Sequence, residues 1–312
     1  MTGSPSVTVA ILTYNGQDYL AQILDRLQEQ DYPGRVEVLV IDSGSTDSTL
    51  EIVARHPEVN LHTIPNSEFG HGRTRDLAAR LASGEFVAYL THDAVPMGNG
   101  WLSALVAPMI DDERIAAVMG KQEPRPWCYP LLKYEIMGVF TGLGPDFGVT
   151  VFRDDGTLVS KGLRDAAGFY SDVNSAARRS ILAGPVPYRD VPYAEDQFFG
   201  RDLIDKGYRK AYAPRASVQH SNDLSLSESG ARAIDEVVGL RQVGTVIPEL
   251  SRVSVLRLAV RGALLDTPRI LRDPDYSAIT KLRWLFANPV FHWVKWTSYR
   301  AATRLPVEVV AS

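Results

Sequence analysis

The apolar positions of this chain fall into short runs separated by amphipathic stretches. Val7 to Thr13 is an apolar run with β-branched residues, and Val36 to Ile41, Leu61 to Ile64 and Phe86 to Leu90 are three further short strand-like runs. Short apolar runs bounded by turn residues mark buried strands. Between the first two runs, Leu20, Ile23, Leu24 and Leu27 recur at helical spacing, which predicts a helix over Gln17 to Gln30, stopped by Pro33-Gly34. Ser45-Thr46-Asp47 can cap a further helix reaching His56, and Gly72 to Leu81 is predicted helical up to Ser83-Gly84. Such alternation predicts an α/β domain with a mostly parallel sheet and crossover helices on its faces.

The pattern then loosens. Trp101 to Ile110 reads as a helix and Ile115 to Met119 as a strand. Glu123 to Phe152 is rich in Pro, Gly and aromatic residues without a clear period, and reads as long irregular connections. Ser171 to Ile181 has strand-to-helix character, and Glu195 to Lys206 is a helix ended by Gly207. Beyond Leu224 the chain reads as helical, interrupted at Pro248, Pro268, Pro274 and Pro289. The expected division is a catalytic domain over 1–224 and a helical C-terminal extension over 225–312.

Charge and composition narrow the classes. The net charge of −4 over 312 residues argues against nucleic acid as the partner. Arg252 to Ser312 nevertheless holds ten Lys/Arg against four Asp/Glu, so the remainder is the acidic part. The single cysteine, Cys128, excludes an intramolecular disulfide, fits a reducing compartment and reads as a packed or loop residue. Met1 to Ser6 lacks the features of a signal peptide, and no eighteen apolar residues run together. A cytoplasmic location follows as the expectation.

The candidate chemistry sits where runs end. Asp42 and Asp93 follow strands, and Glu195-Asp196 opens a helix. Acids at the carboxyl edge of a parallel sheet can bind ribose hydroxyls, base N–H groups or a divalent cation. Asp42 alone is equally a turn or capping aspartate. There is no Gly-x-x-x-x-Gly-Lys-Ser/Thr phosphate loop, no Gly-x-Gly-x-x-Gly after the first strand and no Gly-x-Ser-x-Gly elbow. Readings as an ATPase, a dehydrogenase or a serine hydrolase therefore lose support.

An ordered series of segments, Thr8-Val9-Ala10-Ile11-Leu12-Thr13-Tyr14-Asn15, Ile41-Asp42-Ser43-Gly44-Ser45-Thr46-Asp47, Thr91-His92-Asp93 and Ala194-Glu195-Asp196, resembles the motifs of inverting family-2 glycosyltransferases. Those enzymes have the GT-A fold, a Rossmann-like nucleotide-sugar domain. Within them, Phe69 to Ala78, Phe169 to Ala176 and Val191 to Gln197 are similar to blocks of bacterial rhamnosyltransferases. The resemblance covers roughly residues 7–222.

The resemblance implies a set of roles. Thr13, Tyr14, Asn15 and Asp42 would hold nucleobase and ribose, the Asp42 carboxylate accepting a pyrimidine N–H. Thr91-His92-Asp93 stands for the family's Asp-x-Asp, with Thr91 where the first acid is usual; Thr91 and His92 would face the donor, and Asp93 would be the main ligand for Mg²⁺ or Mn²⁺. His92 is also open to a purely structural role. His220 resembles a late metal-binding histidine, with an ordinary hydrogen-bonded histidine as the alternative. Asp196 would be the catalytic base, Glu195 being the other candidate. Arg73 or Arg75, on a Gly-flanked turn, would contact the diphosphate or another part of the donor, or else the two form a surface charge cluster.

The implied function is transfer of L-rhamnose from dTDP-L-rhamnose to a cell-surface polysaccharide or polyprenyl-linked glycan. The competing readings are a family-2 enzyme using a UDP-hexose or UDP-N-acetylhexosamine and, less favoured, a non-catalytic scaffold. Lys281 to Arg304 interleaves Trp284, Trp293 and Trp296 with basic residues. That stretch would lie in a membrane interface, pack on the catalytic domain or join a second subunit.

Overall fold

The computed structural model describes residues 3–156, 161–222 and 224–306. Met1 and Thr2, part of the polar N-terminus, lie outside the described residues. Two compact units form, one from Met1–Glu123 with Phe140–His220, the other from Pro124–Val139 with Ser221–Ser312.

In the first unit the expected alternation is present: β1 (Val7–Thr13), α1 (Leu20–Gln28), β2 (Val36–Asp42), α2 (Thr49–Ala54), β3 (Val59–Thr63), α3 (His71–Leu81) and β4 (Phe86–Thr91). The α1 positions Leu20, Ile23, Leu24 and Leu27 are its buried face. Val7, Val9, Ala10 and Ile11 of β1 are fully buried, and burial of each large aliphatic is worth about 1.5–3 kcal/mol against the entropy of ordering it. Asp47 accepts the Thr49 N–H at 2.9 Å, satisfying one orphan amide at the start of α2.

After β4 come β5 (Val95–Pro96), α4 (Trp101–Asp111), β6 (Ile115–Glu123), α5 (Pro130–Leu143), β7 (Thr150–Phe152), α6 (Lys161–Gly168), β8 (Asn174–Arg178), α7 (Arg179–Leu182), α8 (Glu195–Asp205) and β9 (Arg209–Gln219). The sheet order is β3-β2-β1-β4-β8-β6-β9-β5, with β7 on β9. β3, β2, β1 and β4 are parallel, as expected. Beyond β4 the sheet is mixed, because β8 runs antiparallel to both β4 and β6, and β9 is parallel to β6.

Two parts of this half differ from the sequence expectation. Glu123 to Phe152, read as irregular, contains α5 and β7. β9 was not anticipated: its register on β6 jumps from Gly120↔Ala213 to Lys121↔Ser217, leaving Pro214 to Ala216 in a bulge where a proline costs no ladder bond. The buried Asn174 side chain closes that bulge. It donates to the Ala216 carbonyl at 2.7 Å and the Lys121 carbonyl at 3.1 Å, and accepts the Trp101 indole N–H at 3.0 Å.

The second unit carries α9 (Leu226–Gln242), α10 (Arg252–Arg272) and α11 (Ala278–Ala302), N-capped by Ser225, Ser251 and Ser277. Pro248 and Pro274 fall between helices, whereas Pro268 and Pro289 lie inside α10 and α11. Packing of the two helices outweighs the local cost. Asp266 of α10 is buried and accepts from Asn288 at 3.1 Å and His292 at 2.8 Å of α11, while Asn288 Oδ1 accepts the Leu131 N–H. Lys133 is buried against Asp273 at 2.8 Å, and Cys128 is buried.

Candidate active site

Register places the first cluster. β1, β2 and β4 end together, Thr13 opposite Asp42 and Leu12 opposite Thr91. This is the carboxyl edge where strand order reverses around β1, the crevice in which open α/β sheets bind ligands. Asp42 is buried, and its carboxylate accepts from the Thr13 hydroxyl at 3.0 Å, the Ser45 hydroxyl, and the Gly44 and Ser45 amides at 2.9 and 3.0 Å. Four donors occupy the lone-pair directions of the carboxylate. The turn role and the position at the sheet edge thus coexist in one residue: Asp42 shapes the loop, and any base N–H must replace one of these donors.

Asn15, in the left-handed region at φ 50°, faces the same loop. Its amide N–H donates to the Ser45 hydroxyl at 2.8 Å, and its side-chain oxygen accepts the Thr46 N–H at 2.9 Å. Tyr14 is exposed beside it. A Cβ on Gly16 would come within 3.1 Å of the His92 side chain, so His92 packs on this loop.

The second cluster joins residues distant in sequence. β5 pairs with the end of β9, Val95 opposite Gln219, which carries Asp93 and His220 toward each other. His220 Nε2 lies 3.2 Å from Asp93 Oδ2. His220 Nδ1 is 3.0 Å from Gln122 Oε1, and Gln122 Nε2 donates to Ser171 Oγ at 3.0 Å. That donation sets the amide so that Gln122 accepts from Nδ1–H, leaving Nε2 directed at Asp93. Burial acts to raise the Asp93 pKa, but the His220 imidazole, the Thr91 hydroxyl and His92 outweigh it and hold the carboxyl well below the usual range.

One carboxylate oxygen and one imidazole nitrogen, the latter backed by a hydrogen bond on its other nitrogen, form a donor set suited to a divalent cation. Among the described residues no group of three or more His, Cys, Asp and Glu forms a fuller metal cage. A cation at this pair would take its remaining ligands from substrate and water, as Mg²⁺ commonly does.

The third cluster surrounds the start of α8. Ala194 sits in the left-handed region at φ 63°, a strained conformation for a residue with a Cβ, and turns the chain into Glu195. Glu195 is buried and ion-paired with Arg75 of α3. Arg75 is buried too, with Asp172 at 3.2 Å on its other side. Asp172 accepts from Ser175 at 2.7 Å and Tyr188 at 2.8 Å. Burial alone would lower the Arg75 pKa, yet Asp172 and Glu195 raise it overall. Arg75 is therefore enclosed between two carboxylates, not presented to a diphosphate as the sequence suggested. Arg73 is exposed and paired with Asp190 at 3.1 Å.

Asp196 has different company from Glu195. Its Oδ1 accepts the Gln197 N–H at 2.8 Å, and no ion pair to it forms among the described residues. Burial raises its pKa well above the ordinary carboxylate value, Glu195 and Asp172 raise it further, and Arg75 only partly opposes them. Repulsion from the two neighbouring carboxylates thus adds to burial in favouring the protonated form of Asp196. Asp172, Gln122 and Tyr188 were given no role from sequence. Asp172 stood inside a quoted motif, but nothing local revealed its pairing with Arg75.

Comparison with known proteins shows the family and the fold. Residues 8–183 match Glycosyl transferase family 2. The O-antigen chain rhamnosyltransferase RfbN of Salmonella typhimurium is 30% identical over 234 residues, 73% of this chain and 70% of that protein. WbaN of Salmonella anatum, also an O-antigen chain rhamnosyltransferase, is 30% identical over 237 residues, 74% of this chain and 71% of that protein. Among solved structures, the mannosyltransferase PcManGT of Pyrobaculum calidifontis, in complex with GDP-Man and Mn²⁺, superposes with a TM-score of 0.61 at 21% identity, covering 97% of this chain and 87% of that one. S. aureus TarS 1-349 superposes with a TM-score of 0.52 at 20% identity, covering 95% and 90%. The fold is that of the GT-A glycosyltransferases, and the chain belongs to glycosyl transferase family 2.

Proposed function

We propose that this glycosyltransferase moves L-rhamnose from dTDP-L-rhamnose, with inversion, onto a hydroxyl of a cell-surface polysaccharide or lipid-linked glycan. The observation that carries the sugar assignment is the pair of rhamnosyltransferase relatives, each 30% identical over 73–74% of the chain. A lipid-linked acceptor would be met at the cytoplasmic face of a membrane.

In this reading Thr13, Tyr14, Asn15 and the Asp42 loop receive the nucleobase and ribose, and Thr91 and His92 border the donor. Asp93 and His220 would hold Mg²⁺ or Mn²⁺. Such a cation, when bound, stabilises the negative charge that builds on the leaving diphosphate. Asp196 is the base. The acceptor oxygen bonds to the anomeric carbon as the bond to the diphosphate oxygen breaks, and the acceptor proton passes to the Asp196 carboxylate. The raised proton affinity of Asp196 supports this role, since it makes the carboxylate a stronger base than an exposed one. Arg75 acts behind it, fixing the adjacent Glu195.

A second reading has one observation in its favour. The poly(ribitol-phosphate) beta-N-acetylglucosaminyltransferase TarS of Staphylococcus aureus is 37% identical over 90 residues, though these are only 28% of this chain. A UDP-N-acetylhexosamine donor would suit that likeness. A donor panel separates the two: with a glycan acceptor supplied, nucleotide diphosphate release from dTDP-L-rhamnose should exceed release from UDP-glucose or UDP-N-acetylglucosamine by about tenfold or more. Faster release from either UDP-sugar would overturn the rhamnose assignment.

A further inference from the structure

The outward faces of α10 and α11 are apolar. On α10, Val253, Leu256, Val260, Leu264 and Leu271 are exposed by 49–76%. On α11, Ile279, Leu282, Phe286, Val290 and Trp293 are exposed by 46–83%. The spacing is three or four residues in each helix, with one gap of seven on α10, so each set is a single stripe. Neither stripe is the buried side, which on α10 carries Asp266 and on α11 carries Asn288 and His292.

The two stripes lie on one side of the hairpin. Lys281 near the start of α11 donates to the Leu271 carbonyl near the end of α10, while a Cβ on Gly262 would meet the His292 ring, so the helices run antiparallel. At about 100° per residue, each stripe is reached by a turn of roughly 120–140° in the same N-to-C sense from the Asp266–Asn288–His292 face. In antiparallel helices the same sense of turn leads to the same side.

The exposed charges on these helices are of one sign. Arg257, Arg261, Arg272 and Arg283 are exposed on the two helices. The one acidic residue in either helix, Asp266, is buried. A second copy of this face, brought against the first, would set arginines against arginines with no carboxylate between them. Apolar stripes bordered by arginine match instead the acyl boundary and anionic headgroups of a bilayer. No helix among the described residues is long and apolar enough to cross a membrane, so contact would be from the surface.

We propose that the α10–α11 hairpin is a docking surface for a lipid bilayer carrying anionic headgroups. It differs from the surface suggested by the sequence. Trp284 and Trp296 are not on it, being half-buried beside Phe291 and Tyr299, and α10 supplies half of it. The proposal deepens the lipid-linked-acceptor reading but uses none of its catalytic residues.

Flotation of the full chain with phosphatidylglycerol or phosphatidylcholine vesicles tests it. Binding should be about tenfold or more stronger to phosphatidylglycerol and should weaken with added salt. Leu264→Ser with Phe286→Ser should cut binding to phosphatidylglycerol by about tenfold or more, and Arg257→Glu with Arg283→Glu should remove the lipid preference. Both pairs are exposed, so unchanged thermal melting will show that the fold is kept. Equal binding to both lipids, or none, overturns the proposal. So does a concentration-dependent dimer that the Leu264→Ser, Phe286→Ser protein no longer forms. The vesicle assay contains no donor, so its failure leaves the sugar assignment standing, and failure of transfer leaves the vesicle result standing.

Discussion

Glu195 and Asp196 are neighbours in sequence with opposite fates. Glu195 is tied to a buried guanidinium, whereas Asp196 is left near two carboxylates with its pKa raised. A base is active only when deprotonated, so activity governed by Asp196 is present above its raised pKa and lost as pH falls through it. The acidic limb of kcat/KM is therefore expected at higher pH than an ordinary carboxylate would give. Asp196→Asn should lower kcat for transfer about 10²–10⁴-fold and remove that limb, while donor binding by calorimetry changes little. Full transfer by the variant would end the base assignment. Arg75 shows why such roles were partly hidden. Its motif position suggested a diphosphate contact, but its partner Glu195 is 120 residues away, and only folding reveals that its charge is already used.

At the scale of elements, α3 approaches the backbone before α8 so closely that no side chain fits between them. A Cβ on Gly72 would lie 1.8 Å from the Arg189 carbonyl oxygen. Gly72→Ala must push the two segments apart and is expected to cost about 1–3 kcal/mol, read as a lower urea midpoint. Gly138→Ala is the control. A Cβ there meets nothing within 4 Å in α5, so stability should hold or rise by up to about 1 kcal/mol. Equal loss in both would refute close approach as the cause. α1 and β1 to β4 were legible because a buried strand and a one-faced helix have distinct periods. α5 was not, because Pro-Leu-Leu-Lys-Tyr-Glu-Ile-Met-Gly-Val-Phe is apolar on most sides and shows no helical stripe. β9 was not, because Pro214 and interspersed basic residues break its run, and only the bulge opposite Gly120 makes them acceptable.

At the scale of the whole molecule, the proposed cation site depends on long-range pairing. Asp93 and His220 meet because β5 joins β9 at the far end of the sheet. A chelator should suppress transfer, with Mn²⁺ or Mg²⁺ restoring it, and His220→Ala should raise the Mn²⁺ concentration for half-maximal activity about 10–100-fold. Transfer indifferent to both would mean that the pair is only an ion pair. The parallel strands, the helices between them and the acids at strand ends follow from the order of residues alone, since hydrophobic period and turn chemistry act over a few residues. Tertiary structure alone decided that Asp93 finds His220, that Arg75 serves Glu195 and Asp172, and that the stripes of α10 and α11 share a side. Those outcomes rest on strand order, burial and helix direction, which bring together residues too distant in the chain for any local pattern to connect.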